Sequence, residues 1–220
     1  MNDKTAGFFY RNIANVISLL GVLPLALLFL DDGYTYLIPL IIFNNIMDDL
    51  DGILATKLNI RSQFGANLDN VCDAVAHVII LFAVGAHFGG ILMVACAIAA
   101  GSLILRVVSR LSPETPPSTG SPTNEFMRHL LLVLLLSSIF SFEPEPFLLA
   151  LFLLHSISMI MPYNMPGLLR GRAKSTTEVG LINIALAAAW LIPAATPLVA
   201  AAFFITYLYA FTKTIVKTAD

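Results

Sequence analysis

The sequence predicts an all-α protein, a polytopic membrane helix bundle of about eight transmembrane helices. Of its 220 residues, 58% are hydrophobic and only 12% are charged, and the mean hydropathy is +0.84. Apolar stretches of the length that crosses a bilayer, about 20 residues, recur along the whole chain. The basic residues lie only near the two termini and at or beside alternate ends of these stretches. This composition excludes an ordinary water-soluble globular protein, because too little polar surface is available.

Apolar runs that end at polar, proline-rich or glycine-rich segments define the candidate helices. They span residues 12–30, 35–57, 65–87, 89–110, 126–142, 147–163, 178–192 and 197–216. In chain order, the connections, which overlap the helix ends by up to three residues, read DDGY, NIRS, HFGG, SPETPPSTGSPT, EPEP, MPYNMPGLLRGRAKSTTE and PAATP. Most of these connections are short, so consecutive helices should be antiparallel and packed together. We expect residues 1–220 to form one integral-membrane domain.

The distribution of basic residues predicts the orientation. The connections at 31–34, 87–90, 143–146 and 193–197 contain no lysine or arginine. Eight alternating spans place all 12 cations on the other face. These are Lys4, Arg11, Lys57, Arg61, Arg106, Arg110, Arg128, Arg170, Arg172, Lys174, Lys213 and Lys217. Because basic residues concentrate on the cytoplasmic side of membrane proteins, that face should be cytoplasmic, with both termini inside.

Five of the 14 acidic residues lie together, at the end of the second candidate helix and in the first part of the third. They are Asp48, Asp49, Asp51, Asp69 and Asp73. A carboxylate at the centre of a bilayer costs about 2.5–3.5 kcal/mol on insertion scales, and clustered carboxylates also repel one another. Side chains that merely reach up to water at a helix end explain one or two such residues. The whole set therefore indicates a functional site.

Helical spacing predicts which of these carboxylates face each other. Asp48 and Asp51 are three residues apart on one helix face, whereas Gly65, Asp69 and Asp73 repeat every four residues along the next helix. Both faces can converge on one cytoplasm-facing pocket, where four carboxylates require cations. Oxygen ligands without His or Cys suit Mg²⁺, Mn²⁺ or Ca²⁺. Two such ions between carboxylates form the arrangement that supports in-line displacement at phosphorus.

Residues 48–73 read DDLDGILATKLNIRSQFGANLDNVCD. This segment resembles the motif of the CDP-alcohol phosphotransferase family, DxxDGxxAR followed after a short gap by GxxxDxxxD. Seven positions match in both identity and interval, namely Asp48, Asp51, Gly52, Ala55, Gly65, Asp69 and Asp73. The predicted spans and the placement of the segment also agree with the architecture of that family.

The resemblance implies a reaction and its partners. Members of the family transfer a phosphoalcohol, often a phosphatidyl group, from a CDP-linked donor to an acceptor hydroxyl and release CMP. For this chain the resemblance implies CDP-diacylglycerol as donor, a small hydroxyl compound as acceptor and two divalent ions, Mg²⁺ or Mn²⁺, as cofactors. It also implies a membrane-lipid environment and that a homodimer can form. We expect no nucleic-acid partner.

The resemblance also implies roles for individual residues. The metals would be held by Asp48, Asp51, Asp69 and Asp73. Asp73 would also act as the general base toward the acceptor hydroxyl. The cleft for cytidine diphosphate would be lined by Gly52, Ala55 and Gly65, with Thr56 and Lys57 beside them.

One position departs from the family motif, because Thr56 stands where the motif has arginine. A guanidinium grips phosphate with a planar fork, whereas a threonine hydroxyl offers a single neutral donor. Lys57 can supply a point charge, although its side chain is turned by about 100° along the helix. Arg61 is a second cation that can compensate. The sequence leaves this choice open.

Outer segments resemble the phosphatidylserine synthase branch of the family and favour L-serine as the acceptor. They are NIANVISLLG at 12–21, SRLSPETPPSTGSPTNEF at 109–126 and SISMIMPYNMP at 156–166. After Asp73, however, the sequence AVAHVI lacks the Ser-Phe-Gly expected in that branch. Glycerol 3-phosphate and inositol phosphate remain alternative acceptors. We predict an acceptor-binding role for three arginines at the adjoining ends of the fourth and fifth spans, namely Arg106, Arg110 and Arg128.

A divalent-cation or proton transporter is the hypothesis of a different class, because intramembrane aspartates also mark ion pathways. The five aspartates cluster at one end of the helices, and the outer halves of these helices contain no acidic relay. This distribution favours the enzyme.

Overall fold

The computed structural model describes residues 3–111, 120–162, 165, 167–169 and 175–219. Its α-helices are α1 (Asp3–Val22), α2 (Leu37–Lys57), α3 (Gln63–Phe88), α4 (Gly90–Leu111), α5 (Thr123–Phe140), α6 (Glu145–Ile160), α7 (Thr176–Leu191) and α8 (Thr196–Ala219). Short 3₁₀ helices occupy Leu23–Phe29, Gly33–Tyr36 and Pro193–Ala195. Within these residues the structure contains no β-strand, so the all-α prediction is confirmed.

Five helical segments of the described chain are long and apolar enough to cross a membrane. They are Tyr10–Phe29, Gln63–Phe88, Gly90–Leu111, Thr123–Phe140 and Pro193–Val216. Helices α6 and α7 are apolar but have only 16 residues each, and α2 carries three aspartates among its 21 residues. The architecture is that of an integral membrane protein. The crossing of all eight helices and the cytoplasmic location of both termini stay predictions.

The first predicted span, 12–30, is not one α-helix. Helix α1 already begins at Asp3, and its α-helical hydrogen bonding ends at Val22. A 3₁₀ helix with a proline in its first turn, Pro24, continues to Phe29. Proline has no N–H to donate and its ring clashes with the preceding turn, so the α-helix stops there.

Helix α5 lies at the centre of the bundle. Nearly every side chain from Thr123 to Leu135 is buried, and α2, α3, α6, α7 and α8 all contact this helix. The long apolar run from Leu130 to Leu135 is buried by this central packing. Helices α3 and α4 form a close pair at Gly85, where a Cβ atom would lie only 2.9 Å from the sulfur of Met93.

Some predictions concern residues that the structure does not describe. The side chains of five predicted cytoplasmic cations lie outside the described part of the chain, namely Lys4, Arg170, Arg172, Lys174 and Lys217. The same holds for most of the proline-rich segment at 112–123.

Candidate active site

The turn between α2 and α3 positions the site. Asn59 adopts a left-handed backbone conformation with φ of 54°, which asparagine tolerates better than most residues. Ser62 caps α3, because its Oγ accepts a hydrogen bond from the Gly65 N–H at 3.0 Å. Serine is among the preferred residues at this position. The short turn folds α3 back beside α2 and α1, so the adjoining ends of α2 and α3 face each other.

Three of the predicted metal ligands come together at this junction. One carboxylate oxygen from each of Asp48, Asp69 and Asp73 lies within 4.8 Å of the others. All three side chains are partly buried. Three hard oxygen ligands at this separation fit a divalent cation such as Mg²⁺ or Mn²⁺. An arrangement of this kind, placed partly inside a bundle, has no evident role in packing because the carboxylates repel one another.

The fourth predicted ligand, Asp51, has a different partner. It is 5% exposed, and its Oδ2 accepts a hydrogen bond from the hydroxyl of Ser18 on α1. Asp51 is still close enough to Asp48 and Asp69 to interact with them electrostatically. The fifth acidic residue, Asp49, accepts a hydrogen bond from Nδ2 of Asn183 on α7 at 2.7 Å. The side chain of Asp49 therefore serves the contact between α2 and α7.

Asn124 is a site residue that the sequence analysis missed. Its Nδ2 donates a hydrogen bond of 2.6 Å to Oδ2 of Asp48, so α5 orients one carboxylate of the cluster. Ser18 does the same for Asp51 from α1. The only sequence signal was polarity in otherwise apolar helices. Asn12, Asn15 and Ser18 recur every three residues and therefore share one face of α1.

Arg128 is buried behind the cluster. Its side chain is among the largest fully buried ones, with 1% exposure. Its Nε donates to Oδ1 of Asn45 at 2.9 Å, and its Nη1 lies 3.4 Å from Oε1 of Glu125. Asn45 in turn donates to Oδ1 of Asn183 at 2.6 Å. A buried polar chain thus links α5, α2 and α7, and the charge of Arg128 interacts with Asp48.

The three arginines predicted to bind the acceptor lie in different environments. Arg110 is exposed and near enough to Asp69 to interact with its charge. Arg106 is 9% exposed and donates to the backbone carbonyls of Gly120 and Ser121 at 3.2 and 3.3 Å. Its guanidinium therefore fastens the segment before α5. The structure does not bring the three guanidinium groups together on one ligand, and their role in acceptor binding stays a prediction.

A cavity of about 250 Å³ opens beside the aspartates, between α1, α2 and α3. Asp51 and Asp69 line it, and so do three of the predicted donor-binding residues, namely Gly52, Ala55 and Gly65. A Cβ atom on Gly52 would meet nothing within 4 Å, so this glycine borders open space. Thr56 and Lys57 are exposed and are not among the lining residues.

Thr56 has a defined hydrogen-bonding role. Its Oγ1 donates to the backbone carbonyl of Gly52 at 2.7 Å. The same oxygen accepts two hydrogen bonds from Arg61, from Nε at 3.1 Å and from Nη2 at 2.7 Å. Arg61 is among the residues that line the cavity. The hydroxyl that stands at the family's arginine position therefore holds another arginine.

Comparison with known sequences identifies the family. The sequence model of the CDP-alcohol phosphatidyltransferase family matches residues 11–163, a stretch that contains α2, α3, the aspartate cluster and the cavity. No curated protein matches the sequence significantly. The match does not extend to the phosphatidylserine synthase branch in particular. Because it covers more than half of the 220 residues, the chain belongs to the CDP-alcohol phosphatidyltransferase family, whose members transfer a phosphatidyl group from a CDP-linked donor to an acceptor alcohol.

Proposed function

We propose that this chain transfers the phosphatidyl group of CDP-diacylglycerol to the hydroxyl of a small polar acceptor, with L-serine favoured, and releases CMP. The observation that carries the proposal is the cluster of Asp48, Asp69 and Asp73, whose oxygen atoms lie within 4.8 Å of one another. The cluster adjoins a cavity that contains the glycines and the alanine of the family motif.

The carboxylates also support the choice of cofactor. Asp48, Asp69 and Asp73 would hold divalent ions, with Asp51 near enough to contribute, and their oxygen-only chemistry suits Mg²⁺ or Mn²⁺. When bound, two such ions would neutralise charge on the diphosphate of the donor. Asn124 and Ser18 would fix the orientation of Asp48 and Asp51 through the hydrogen bonds described above. Hydrogen bonds of this kind to ligand carboxylates tune metal affinity.

Asp73 is the general base in this proposal. The acceptor O–H gives its proton to the Asp73 carboxylate while the acceptor oxygen forms a bond to the phosphorus that carries diacylglycerol. The bond from that phosphorus to the bridging oxygen of the diphosphate breaks, and CMP leaves with the electron pair. A primary alcohol is a weak nucleophile at neutral pH, so a carboxylate within hydrogen-bonding reach is required. Asp73 lies on α3 one helical turn after Asp69 and one turn before the buried His77.

The membrane setting supports a lipid donor. The diacylglycerol tails would stay in the bilayer while the polar groups meet at the adjoining ends of α2 and α3. We place this site at the cytoplasmic face, because all 12 cations of the sequence fall on one side of an eight-span topology.

The choice of acceptor rests on the outer segments of the sequence and on one exposed cation. The serine preference is supported by the resemblance of residues 12–21, 109–126 and 156–166 to the phosphatidylserine synthase branch. Glycerol 3-phosphate and inositol phosphate are the alternatives. An exposed cation near Asp69, Arg110, is suited to an acceptor carboxylate or phosphate.

The test is CMP release by the purified protein in detergent with CDP-diacylglycerol, Mg²⁺ or Mn²⁺ and a panel of acceptors. The panel contains L-serine, glycerol 3-phosphate, inositol phosphate and glycerol. We expect serine-dependent CMP release that stops on chelation of the metal. Release with another acceptor would correct the acceptor alone. Cation flux in proteoliposomes without CMP release would contradict the enzyme and favour the transporter.

A further inference from the structure

The cavity beside the aspartates has two chemically different sides. A second cavity of about 330 Å³ shares Arg11, Asn15, Ile60, Arg61 and Ser62 with it. The two arginines therefore line both cavities, whereas Asp51 and Asp69 line only the first. Arg11 and Arg61 therefore lie where the two cavities adjoin, and Asp51 and Asp69 lie on the opposite side of the first cavity. A polyanionic ligand that reaches from one cavity to the other would pass the arginines.

Arg61 is held in place for such a contact. Two of its N–H groups donate hydrogen bonds to the hydroxyl oxygen of Thr56, and the Thr56 hydroxyl donates a hydrogen bond to the Gly52 carbonyl. A guanidinium has five N–H donors in a fixed fork. Three of them are without a partner among the described residues. Because Nε and one terminal nitrogen are already fixed, less side-chain freedom is lost when the remaining donors bind an anion.

Lys57 does not have this arrangement. It is exposed at the end of α2 and lines neither of the two cavities. A single-residue step along an α-helix turns the side chain by about 100°, which directs Lys57 away from the face that Thr56 shares with Gly52. Arg61 comes five residues after Thr56, beyond the helix end, and the turn brings it back to the cavity.

We infer that Arg61, fastened by Thr56 and assisted by Arg11, binds the diphosphate of the CDP-linked donor in this chain. The inference rests on the proposed function for the identity of the donor. The sequence left open whether Lys57 or Arg61 compensates for the missing arginine at position 56. The hydrogen bonds of Thr56 favour Arg61, because they hold its guanidinium beside the cavity. Thr56 is a positioning residue and Arg61 is the donor-binding residue.

The first experiment compares CDP binding by wild type and Arg61→Gln with isothermal titration calorimetry on the full chain in detergent, with Mg²⁺ present. Loss of charge-assisted hydrogen bonds to phosphate should weaken CDP binding by about tenfold to a hundredfold. The KM for CDP-diacylglycerol should rise in parallel, with a smaller change in kcat. Lys213→Gln is the matched control, because Lys213 is an exposed cation over the ring of Tyr209 on α8. The Lys213→Gln variant should bind CDP as tightly as wild type. Unchanged CDP affinity in Arg61→Gln would overturn the inference.

The second experiment asks whether the guanidinium can be moved. Thr56→Val removes the hydroxyl and should weaken CDP binding by about threefold to tenfold, less than Arg61→Gln does. Introducing Thr56→Arg into Arg61→Gln should recover most of the lost affinity, which a merely structural role of Arg61 would not allow. Failure of this double variant to bind better than Arg61→Gln, with an unchanged melting temperature, would contradict the inference.

These outcomes are separable from those of the proposed function. If wild type binds CDP but releases no CMP with any acceptor, the proposed reaction fails while the comparison of Arg61 variants still decides the binding role. If wild type releases CMP and Arg61→Gln binds CDP normally, the reaction stands and the role of Arg61 falls. Absence of CDP binding by wild type would overturn both.

Discussion

Asp73 differs from the other carboxylates of the cluster in the role we give it. It lies on α3, partly buried, with an oxygen within 4.8 Å of Asp48 and Asp69. Asp73 shares a side-chain hydrogen bond with Asp48, whereas Asp48 and Asp51 accept hydrogen bonds from the amide of Asn124 and the hydroxyl of Ser18. A carboxylate that must accept a proton from a substrate is better placed without such a donor, because a fixed hydrogen bond lowers its basicity.

We predict that Asp73→Asn nearly abolishes phosphatidyl transfer. The amide has the same shape but cannot take a proton, so kcat should fall by about 10²–10⁴-fold, the usual contribution of a general base. The protein should stay folded, and metal binding should be weakened but retained through Asp48 and Asp69. CMP release and Mn²⁺ affinity measured on the same preparation check this. Near-normal turnover would refute the assignment of the base.

Asn124 gives a second residue-scale prediction. Asn124→Ala removes the 2.6 Å hydrogen bond to Asp48, and loss of a partner of this kind typically costs about 10–100-fold in metal affinity or activity. Mn²⁺ affinity and kcat are the quantities to measure. The matched control is Asn70→Ala, because the Asn70 amide donates to the Ala66 carbonyl of its own helix. Equal effects of the two substitutions would show that Asn124 has no special role.

Helices α2 and α7 are tied by side chains inside the bundle. Asn183 accepts from Asn45 at 2.6 Å and donates to Asp49 at 2.7 Å, and Asn45 also accepts from the buried Arg128. Buried polar groups of this kind are costly unless they are hydrogen-bonded. These hydrogen bonds therefore fix how α7 packs against α2. They also give Asp49, which is not part of the metal cluster, a structural role.

We predict that Asn183→Ala destabilises the protein with less effect on donor binding. Loss of hydrogen bonds to buried polar and charged groups should cost about 1–3 kcal/mol, seen as a lower midpoint of thermal unfolding in detergent. The cavity is built from α1, α2 and α3 and does not include α7. The KM for the donor in Asn183→Ala should therefore stay close to that of wild type. Asn67→Ala, at a hydrogen bond on the α3 surface, should stay within about 0.5 kcal/mol of wild type. An unfolding midpoint equal to that of wild type in Asn183→Ala would contradict this.

The sequence predicted the site residues of α2 and α3 better than those of α1 and α5. The carboxylates of α2 and α3 could be located from sequence, because helical spacing and a short turn bring Asp48, Asp69 and Asp73 together. The placement of Asp51 against Ser18 could not, since it depends on how α1 packs. Asn124 and Arg128 belong to α5, far along the chain, and no local pattern relates them to Asp48. Helix positions follow from local periodicity, whereas partners across helices follow from tertiary packing.

At the scale of the whole molecule, hydropathy predicted the number of helices and most of their bounds to within a few residues. It did not show the break at Pro24 or the early start of α1 at Asp3. The predicted bounds 147–163 and 178–192 agree with the lengths of α6 and α7, which have 16 residues each. A homodimer and the single-domain organisation of residues 1–220 stay predictions.

The topology is itself testable. If all eight helices cross, both termini lie on the same side, and the cation distribution places them in the cytoplasm. Reporter fusions at residue 1 and residue 220 should both give the cytoplasmic signal. A fusion in the connection at 87–90, which contains no lysine or arginine, should give the opposite signal and serves as the control. Termini on opposite sides would show that an odd number of the eight helices does not cross.

The central claim is that carboxylates of α2 and α3 jointly bind divalent cations. The most direct measurement is a Mn²⁺ titration followed by electron paramagnetic resonance, comparing the wild-type chain with Asp69→Asn. We predict two bound ions per wild-type chain and a loss of at least one of them, or an affinity about tenfold weaker or worse, in Asp69→Asn. Mn²⁺ that stays free in wild type, or binds Asp69→Asn as tightly as wild type, would contradict the account.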